Sequence, residues 1–424
     1  MSEKSSRLSG FYKLDREARL AQVQSFSGLD AVAVQSLRDS SALPFELLDR
    51  LVENAIGGFT VPVGLATNMR IDGRDMLIPM ATEESSVIAA VGNAARQCRD
   101  TGGFFTSISG TEMIAQVQLV KVSDPFSARV KILEKKNEIA EICNACDPML
   151  VKLGGGFRDV EVRIIDGRTG PMVIVHLIVD TRDAMGANAV NTMAEKIAPT
   201  LAAWTGAKSL LRILSNLADR RVARARAVWK SSSIGGPEVV QGMLWAADFA
   251  DNDPYRAATH NKGIMNGVTA VTLATGNDTR AIEAGAHVYA TKTGRYTSLS
   301  RYELTAEGDL AGSIELPLAL GLVGGATKVH PTAQACLKIL GVTTAAELSR
   351  IVAAVGLAQN FSALKALSTV GVQQGHMALH AQNVAIAAGA VGDEIDVIAK
   401  RMAEQKMVRQ DVAEQILAEI RKKK

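Results

Sequence analysis

VEVRIIDGRTGPMVIVHLIVDTRDAMGANA, residues 160–189, decides the fold. It contains two β-rich runs, VEVRIID and PMVIVHLIVD, joined by Gly167-Arg168-Thr169-Gly170, a sequence that reads as a turn between strands. The second run ends at Asp180. Small residues follow, among them Ala184, Gly186 and Ala187, and open a helix predicted to reach Ala203. Upstream, IAQVQLVKV (114–122) alternates like a strand, and residues 125–144 carry helical periodicity. Downstream, SLLRILS (209–215) reads as one more strand. The resulting order, βαββαβ, is that of a ferredoxin-like unit over residues 111–215. The flanking sequence is helix-rich, so the unit is expected to be inserted into a larger domain built from residues 1–110 and 216–374. Residues 375–424 are expected to form a small helical C-terminal subdomain, with a break at Gly389-Ala390-Val391-Gly392. The fold class predicted is therefore α+β.

Composition narrows the function. Hydrophobic residues make up 47% and charged residues 21% of 424, a balance that builds a sizeable core. Lys and Arg number 47 against 44 Asp and Glu, a net charge of +3 without a basic face, so no nucleic-acid partner is expected. No uncharged apolar run reaches about 18 residues, so no membrane span is expected. The first twenty residues lack a signal-peptide core, and the four cysteines form no disulfide framework, which points to the cytoplasm.

Six signals could carry chemistry. Asp183-Ala184-Met185-Gly186-Ala187-Asn188 follows a strand and opens a helix, whose free N–H groups and dipole suit a phosphate, although an ordinary βα turn has the same look. It lacks the G-x-G-x-x-G pattern, so a Rossmann fold is not indicated. Gly154-Gly155-Gly156 and Gly324-Gly325-Ala326-Thr327-Lys328 serve either phosphate binding or tight packing, and neither has P-loop spacing. DPYRAATHNKGIMNG (253–267) and ATGND (274–278) concentrate polar side chains at element ends. His376 and His380 stand four apart without the ligand set of a zinc site, so no metal is expected. Cys143-Asn144-Ala145-Cys146 is a C-x-x-C outside a thioredoxin-like context.

Taken in order, ENAIGG (53–58), PMATEES (79–85), LGGGFRD (153–159), DAMGANAVNTMAE (183–195), ILSNLAD (213–219), DPYRAATHNKGIMNG, ATGND, GLVGGATK (321–328), VGLAQN (355–360) and GHMALH (375–380) resemble the class II 3-hydroxy-3-methylglutaryl-CoA reductases almost end to end. The resemblance implies interconversion of 3-hydroxy-3-methylglutaryl-CoA and mevalonate plus coenzyme A, with two hydride transfers from a nicotinamide cofactor and no metal. It implies an obligate homodimer, or a multiple of dimers, with sites where subunits meet, a nucleotide-binding ferredoxin-like domain and a mobile C-terminal flap. It assigns catalysis to Glu84, Lys262, Asp278 and His376, and the hydroxymethylglutaryl group to Ser86, Arg256 and Asn266. The nucleotide would lie on Asp183, Ala184, Met185, Gly186, Ala187 and Asn188. Asp147 matches an acidic position that selects NAD over NADP, because a carboxylate accepts bonds from a ribose diol and repels a 2′-phosphate. Ser85 stands where the family often has Pro, and Gly58 where it often has Thr. Within the expected site, Lys262 receives the oxyanion beside Asp278, and a buried Glu84 supplies a proton. Two alternatives stand beside this one. One is another NAD(P)-linked oxidoreductase of acyl-CoA or aldehydes; the other is a non-catalytic nucleotide-sensing protein.

Overall fold

Asp72 and Gly73 both have positive φ, 49° and 82°, the pairing that a two-residue hairpin turn demands. They join β1 (Val63–Ile71) to β2 (Arg74–Ala81) in an antiparallel pair. The computed structural model describes residues 4–39, 43–369, 381–405 and 407–422. Two more sheets follow. The first contains β3 (Phe105–Ile108), β8 (Val222–Trp229), β10 (Leu310–Pro317) and β9 (Ser300–Leu304), in the order β3-β8-β10-β9. The second contains β4 (Glu112–Val120), β5 (Gly156–Gly167), β6 (Gly170–Asp180) and β7 (Lys208–Ser215), in the order β5-β6-β4-β7.

All pairs in the second sheet are antiparallel. Helices Pro125–Glu134, Lys136–Asn144 and Pro148–Lys152 lie between β4 and β5, and helix Ala187–Thr205 lies between β6 and β7. This is the βαββαβ order that the sequence predicts. Val173, Val175, Leu177 and Val179 of β6 point alternately inward. They share a core with Val190, Met193, Ile197 and Leu201, spaced at three and four along the helix. Each such side chain contributes about 1.5–3 kcal/mol when fully buried.

The flanking sequence is helix-rich as expected and also contributes strands that the sequence reading does not place. β3 pairs with β8, so the chain leaves one strand at Ile108 and returns beside it at Val222. Local periodicity cannot show a pairing between short strands so far apart. Against this sheet lies helix Ala345–Ser368, where Phe361 stacks on Trp229 with ring centroids 4.0 Å apart. This helix is long and apolar enough to cross a membrane, yet most of it is buried inside the protein. It crosses helix Pro254–Ala274 at two glycines. A Cβ on Gly267 would stand 2.9 Å from Gln359 Cβ, and one on Gly356 would stand 2.9 Å from Val268 Cγ2.

Beyond residue 380 the helical expectation holds for the described part, with helices at 381–387, Asp393–Glu404 and Gln410–Lys422. Ala381, Ala385, Ile398, Met402, Ala413, Ile416 and Leu417 form a core separate from the main one. His376 and His380 lie outside the described residues.

Candidate active site

Helix Pro254–Ala274 starts where Asp253 accepts a bond from Arg256 N (2.8 Å), with Pro254 in the first turn. Its buried face carries Ala257, Ile264, Met265, Val268 and Val271, which leaves Lys262 and Asn266, one turn apart, on another face. Two buried polar residues hold the helix in place. Asn261 donates to Thr297 O (2.9 Å) and accepts from Leu299 N (3.0 Å). His260 Nε2 meets Ser300 Oγ at 2.8 Å and Asn360 Nδ2 at 3.1 Å. Burial, with Arg256 nearby, pulls His260 down to about 3, so it is a neutral structural group.

Facing this helix, residues 82–86 link β2 to helix Val87–Cys98. Glu84 N donates to Thr82 Oγ1 (3.2 Å), and Ser86 is held at φ 74°, ψ −19°. This geometry brings Glu84 Oε2 within 2.8 Å of Lys262 Nζ and 3.3 Å of Asn266 Nδ2. Three predicted site residues from two widely separated motifs therefore meet. Arg256 is half-buried, which lowers its pKa, and no carboxylate of the described residues pairs with it within 4.0 Å. A desolvated guanidinium without an acid of its own suits an incoming carboxylate.

Two expectations about this cluster need correction. Glu84 is not buried: its side chain is 40% exposed and that of Lys262 is 62% exposed. Asp278 is not beside Lys262. It caps helix Thr279–Tyr289, accepting from Arg280 N (3.0 Å) and Ala281 N (3.2 Å), and pairs with Arg280. The helix dimensions explain the separation. From Lys262 to Ala274 the chain rises ~18 Å at about 1.5 Å per residue. Gly276 then turns at φ 70°, and Asn277 N bonds back to Thr272 O (2.9 Å), so the ATGND segment stays at the far end.

At that far end lies the turn that follows β6. Helix Ala187–Thr205 begins at Gly186 (φ 99°) without a side-chain cap, so its first N–H groups point outward from small residues. This geometry fits a nucleotide pyrophosphate. Asn277 Oδ1 accepts from Gly321 N (2.7 Å), and a Cβ on Gly321 would stand 2.5 Å from Met185 N. Ala184 forms a parallel bridge with Val323, and Thr327 N would stand 3.1 Å from a Cβ on Gly276. The DAMGAN, ATGND and GLVGGATK segments thus converge. One of the turn residues is engaged elsewhere: Asp183 Oδ1 accepts from Ala345 N (2.8 Å) and anchors the central helix.

Sequence reasoning missed Arg221. It is fully buried and donates to Thr181 Oγ1 (3.3 Å), Ala184 O (3.0 Å) and Leu320 O. Burial pulls its guanidinium down to about 10, while Asp180 and Asp183 oppose the shift. The run Asp219-Arg220-Arg221 gives no local sign of which arginine faces inward.

The remaining signals have structural uses. Gly155 packs where a Cβ would stand 2.6 Å from Leu150 Cδ1 and 2.7 Å from Asp180 O, so the triple glycine serves close approach. Cys143 is buried and its thiol is pushed up to about 12, which makes it a poor redox group. Asp147 caps helix Pro148–Lys152, accepting from Leu150 N (2.9 Å).

The sequence model for "Hydroxymethylglutaryl-coenzyme A reductase" matches residues 15–381. The 3-hydroxy-3-methylglutaryl-coenzyme A reductase of Archaeoglobus fulgidus is 56% identical over 417 residues, covering 98% of this chain and 95% of that protein. A 3-hydroxy-3-methylglutaryl-coenzyme A reductase structure from Streptococcus pneumoniae aligns at 38% identity with a TM-score of 0.83, covering 97% of this chain and 99% of that one. A structure of the class II enzyme from the same organism, bound to NADPH in open conformations, aligns at 39% identity and a TM-score of 0.82, covering 85% and 99%. With the clustered Glu84, Lys262 and Asn266 set in a mixed fold that superposes on these enzymes nearly end to end, the chain belongs to the class II hydroxymethylglutaryl-coenzyme A reductase family.

Proposed function

We propose that this reductase works through a site completed by two subunits, one supplying Glu84, Ser86, Arg256, Lys262 and Asn266, the other supplying Asp278 and the nucleotide turn. The observation that carries this is the spacing along helix Pro254–Ala274, which places Asp278 beyond the helix C-terminus, ~18 Å of helix rise past Lys262 in the same chain. A second copy also accounts for the exposed apolar surface of the ENAIGG region, where Val52, Ile56 and Phe59 face outward. Residues 111–215 form the nucleotide unit, leaving and re-entering the large domain (1–110 and 216–374) beside the β3–β8 pair. Residues 375–424 form the flap, which the separate core beyond residue 380 supports.

The nicotinamide cofactor supplies hydride when bound. Lys262 Nζ, held by Glu84, donates to the thioester carbonyl oxygen and stabilises its negative charge as the hemithioacetal forms. Arg256 binds the substrate's free carboxylate, and Ser86 and Asn266 hold the rest of the hydroxymethylglutaryl group. Collapse to mevaldehyde releases the coenzyme A thiolate, which His376 protonates. Glu84 delivers a proton in the second reduction. His376→Gln should then slow thioester turnover at least tenfold more than reduction of free mevaldehyde, because only the thioester reaction releases coenzyme A. Equal loss in the two assays removes that role.

The cofactor favoured is NAD, through Asp147. Its helix packs through Leu150 onto Gly155, which abuts Asp180 at the start of the nucleotide turn. Because Asp147 is also a helix cap, Asp147→Asn is the clean test: it keeps a capping oxygen and removes the charge. The NADPH/NADH ratio of kcat/KM should rise about tenfold, corresponding to about 1.4 kcal/mol. An unchanged ratio rules out Asp147 as selector. We place the reaction in the cytoplasm with small-molecule substrates only, and the activity itself is tested first by assaying mevalonate, coenzyme A and NAD⁺ against the reverse reaction. Absence of turnover in both directions overturns the assignment.

A further inference from the structure

We infer that Arg221 is a positioning residue for the nicotinamide cofactor, clamping the nucleotide turn to the Leu320–Gly321 segment and thereby fixing where the cofactor stands relative to Asp278. The inference rests on the proposed nucleotide turn and deepens it.

Three observations converge. First, Arg221 joins two separate stretches of chain. One guanidinium nitrogen donates to Thr181 Oγ1 (3.3 Å) and Ala184 O (3.0 Å), both in the turn, and the other donates to Leu320 O. Its own backbone belongs to the same assembly, since Leu318 N donates to Arg221 O (3.0 Å). Second, Leu320 is followed by Gly321, whose N–H is held by Asn277 Oδ1 (2.7 Å), the residue immediately before Asp278. The path from nucleotide turn to catalytic aspartate is therefore Ala184, Arg221, Leu320, Gly321, Asn277, Asp278. Third, Gly321 packs so closely on Met185 N that the two stretches have one way of fitting together.

The choice of arginine has a physical reason. The groups to be joined are mostly carbonyl oxygens, which accept only, and lie in two directions. A planar guanidinium offers several donors at fixed angles and keeps its proton even when fully buried. No carboxylate of the described residues pairs with it within 4.0 Å. Asp180, which lies close enough to act electrostatically, is itself engaged by Thr111, Arg158 and Arg182. Burying an arginine for packing alone is costly, whereas a rigid fork between two loops repays that cost by setting their separation. Among the described residues, Glu84, Lys262 and Arg256 have no hydrogen bond to this clamp.

The test measures dissociation constants of NADH, NADPH and 3-hydroxy-3-methylglutaryl-CoA for the full-length protein, together with kcat. Arg221→Met should weaken both nicotinamide cofactors by about 10- to 100-fold, the loss of hydrogen bonds from a buried charged group. Arg221→Lys, which keeps charge but not the fork, should weaken them about three- to tenfold. Both should lower kcat and leave binding of 3-hydroxy-3-methylglutaryl-CoA within about twofold, since uncoupled sites behave independently. If the methionine variant does not fold, the lysine variant carries the test. A role in stability alone predicts a lower melting temperature with unchanged affinities, or an equal loss for all three ligands, and either result overturns the inference. Asn188→Asp is the control. It sits in the first turn of helix Ala187–Thr205, where an acidic residue suits the helix and repels phosphate. If Asn188→Asp weakens NADH binding and Arg221→Lys does not, the clamp fails and the nucleotide turn stands. If Asn188→Asp changes nothing, the turn itself is misassigned and the clamp falls with it.

Discussion

Lys262→Ala should lower kcat for both half-reactions, thioester reduction and mevaldehyde reduction, by roughly 10²–10³-fold or more, the usual cost of removing one electrostatic stabiliser. Both steps place negative charge on an oxygen at the same carbon, and both need the same cation. Stability should hardly change. The side chain is 62% exposed and its partner Glu84 is 40% exposed, so the pair is largely solvated and contributes roughly 0–1 kcal/mol to folding. The expected signature is thus an enzyme with an unshifted melting temperature and almost no turnover. Substrate affinity should fall less than kcat, because the charge that Lys262 meets develops in the transition state. Retention of mevaldehyde reduction near the unmodified level, in a folded variant, would assign the oxyanion to another donor.

The second large effect is a recovery. Lys262→Ala and Asp278→Asn should each be inactive as homodimers, and co-expression of the two should restore activity. If each site takes Lys262 from one subunit and Asp278 from the other, a mixed dimer has one doubly damaged site and one intact site. Random pairing then returns about a quarter of the unmodified activity. Asp278→Asn is suited to the purpose because asparagine still caps helix Thr279–Tyr289. Should both residues act within one chain, no mixed dimer contains an intact site and co-expression stays at the floor. The experiment therefore decides between a site within one chain and a shared one, a distinction that follows from the ~18 Å of helix between Lys262 and Ala274.

Much of the site was legible in the sequence because its residues sit in local motifs. The Glu84, Lys262 and Asn266 cluster follows from matching those motifs to a family, and the structure brings them together. Less legible was how each side chain is used. Asp183 lies in the predicted nucleotide turn yet spends its carboxylate on Ala345 N. Asp147 reads as a cofactor selector and is also a helix cap. Asp278 is placed next to Lys262 by family resemblance, while the path of a single chain keeps it beyond the C-terminus of the helix that carries Lys262. Motif spacing records which residues occur together in sequence and carries no information on which carbonyl or amide each one meets.

What the amino-acid order alone determined is the local architecture. Period-two alternation makes β4, the β-rich runs VEVRIID and PMVIVHLIVD make β5 and β6 around the Gly167–Gly170 turn, and the small residues after Asp180 open the helix that follows. These depend on steric and hydrogen-bonding preferences within a few residues, so a linear reading reaches them. The tertiary structure decided the β3-β8-β10-β9 sheet, the burial of Arg221 rather than Arg220, and the far-end position of Asp278. Each of these depends on which distant surfaces meet, and the free energy of that choice resides in packing and desolvation across the whole molecule rather than in any short stretch of it.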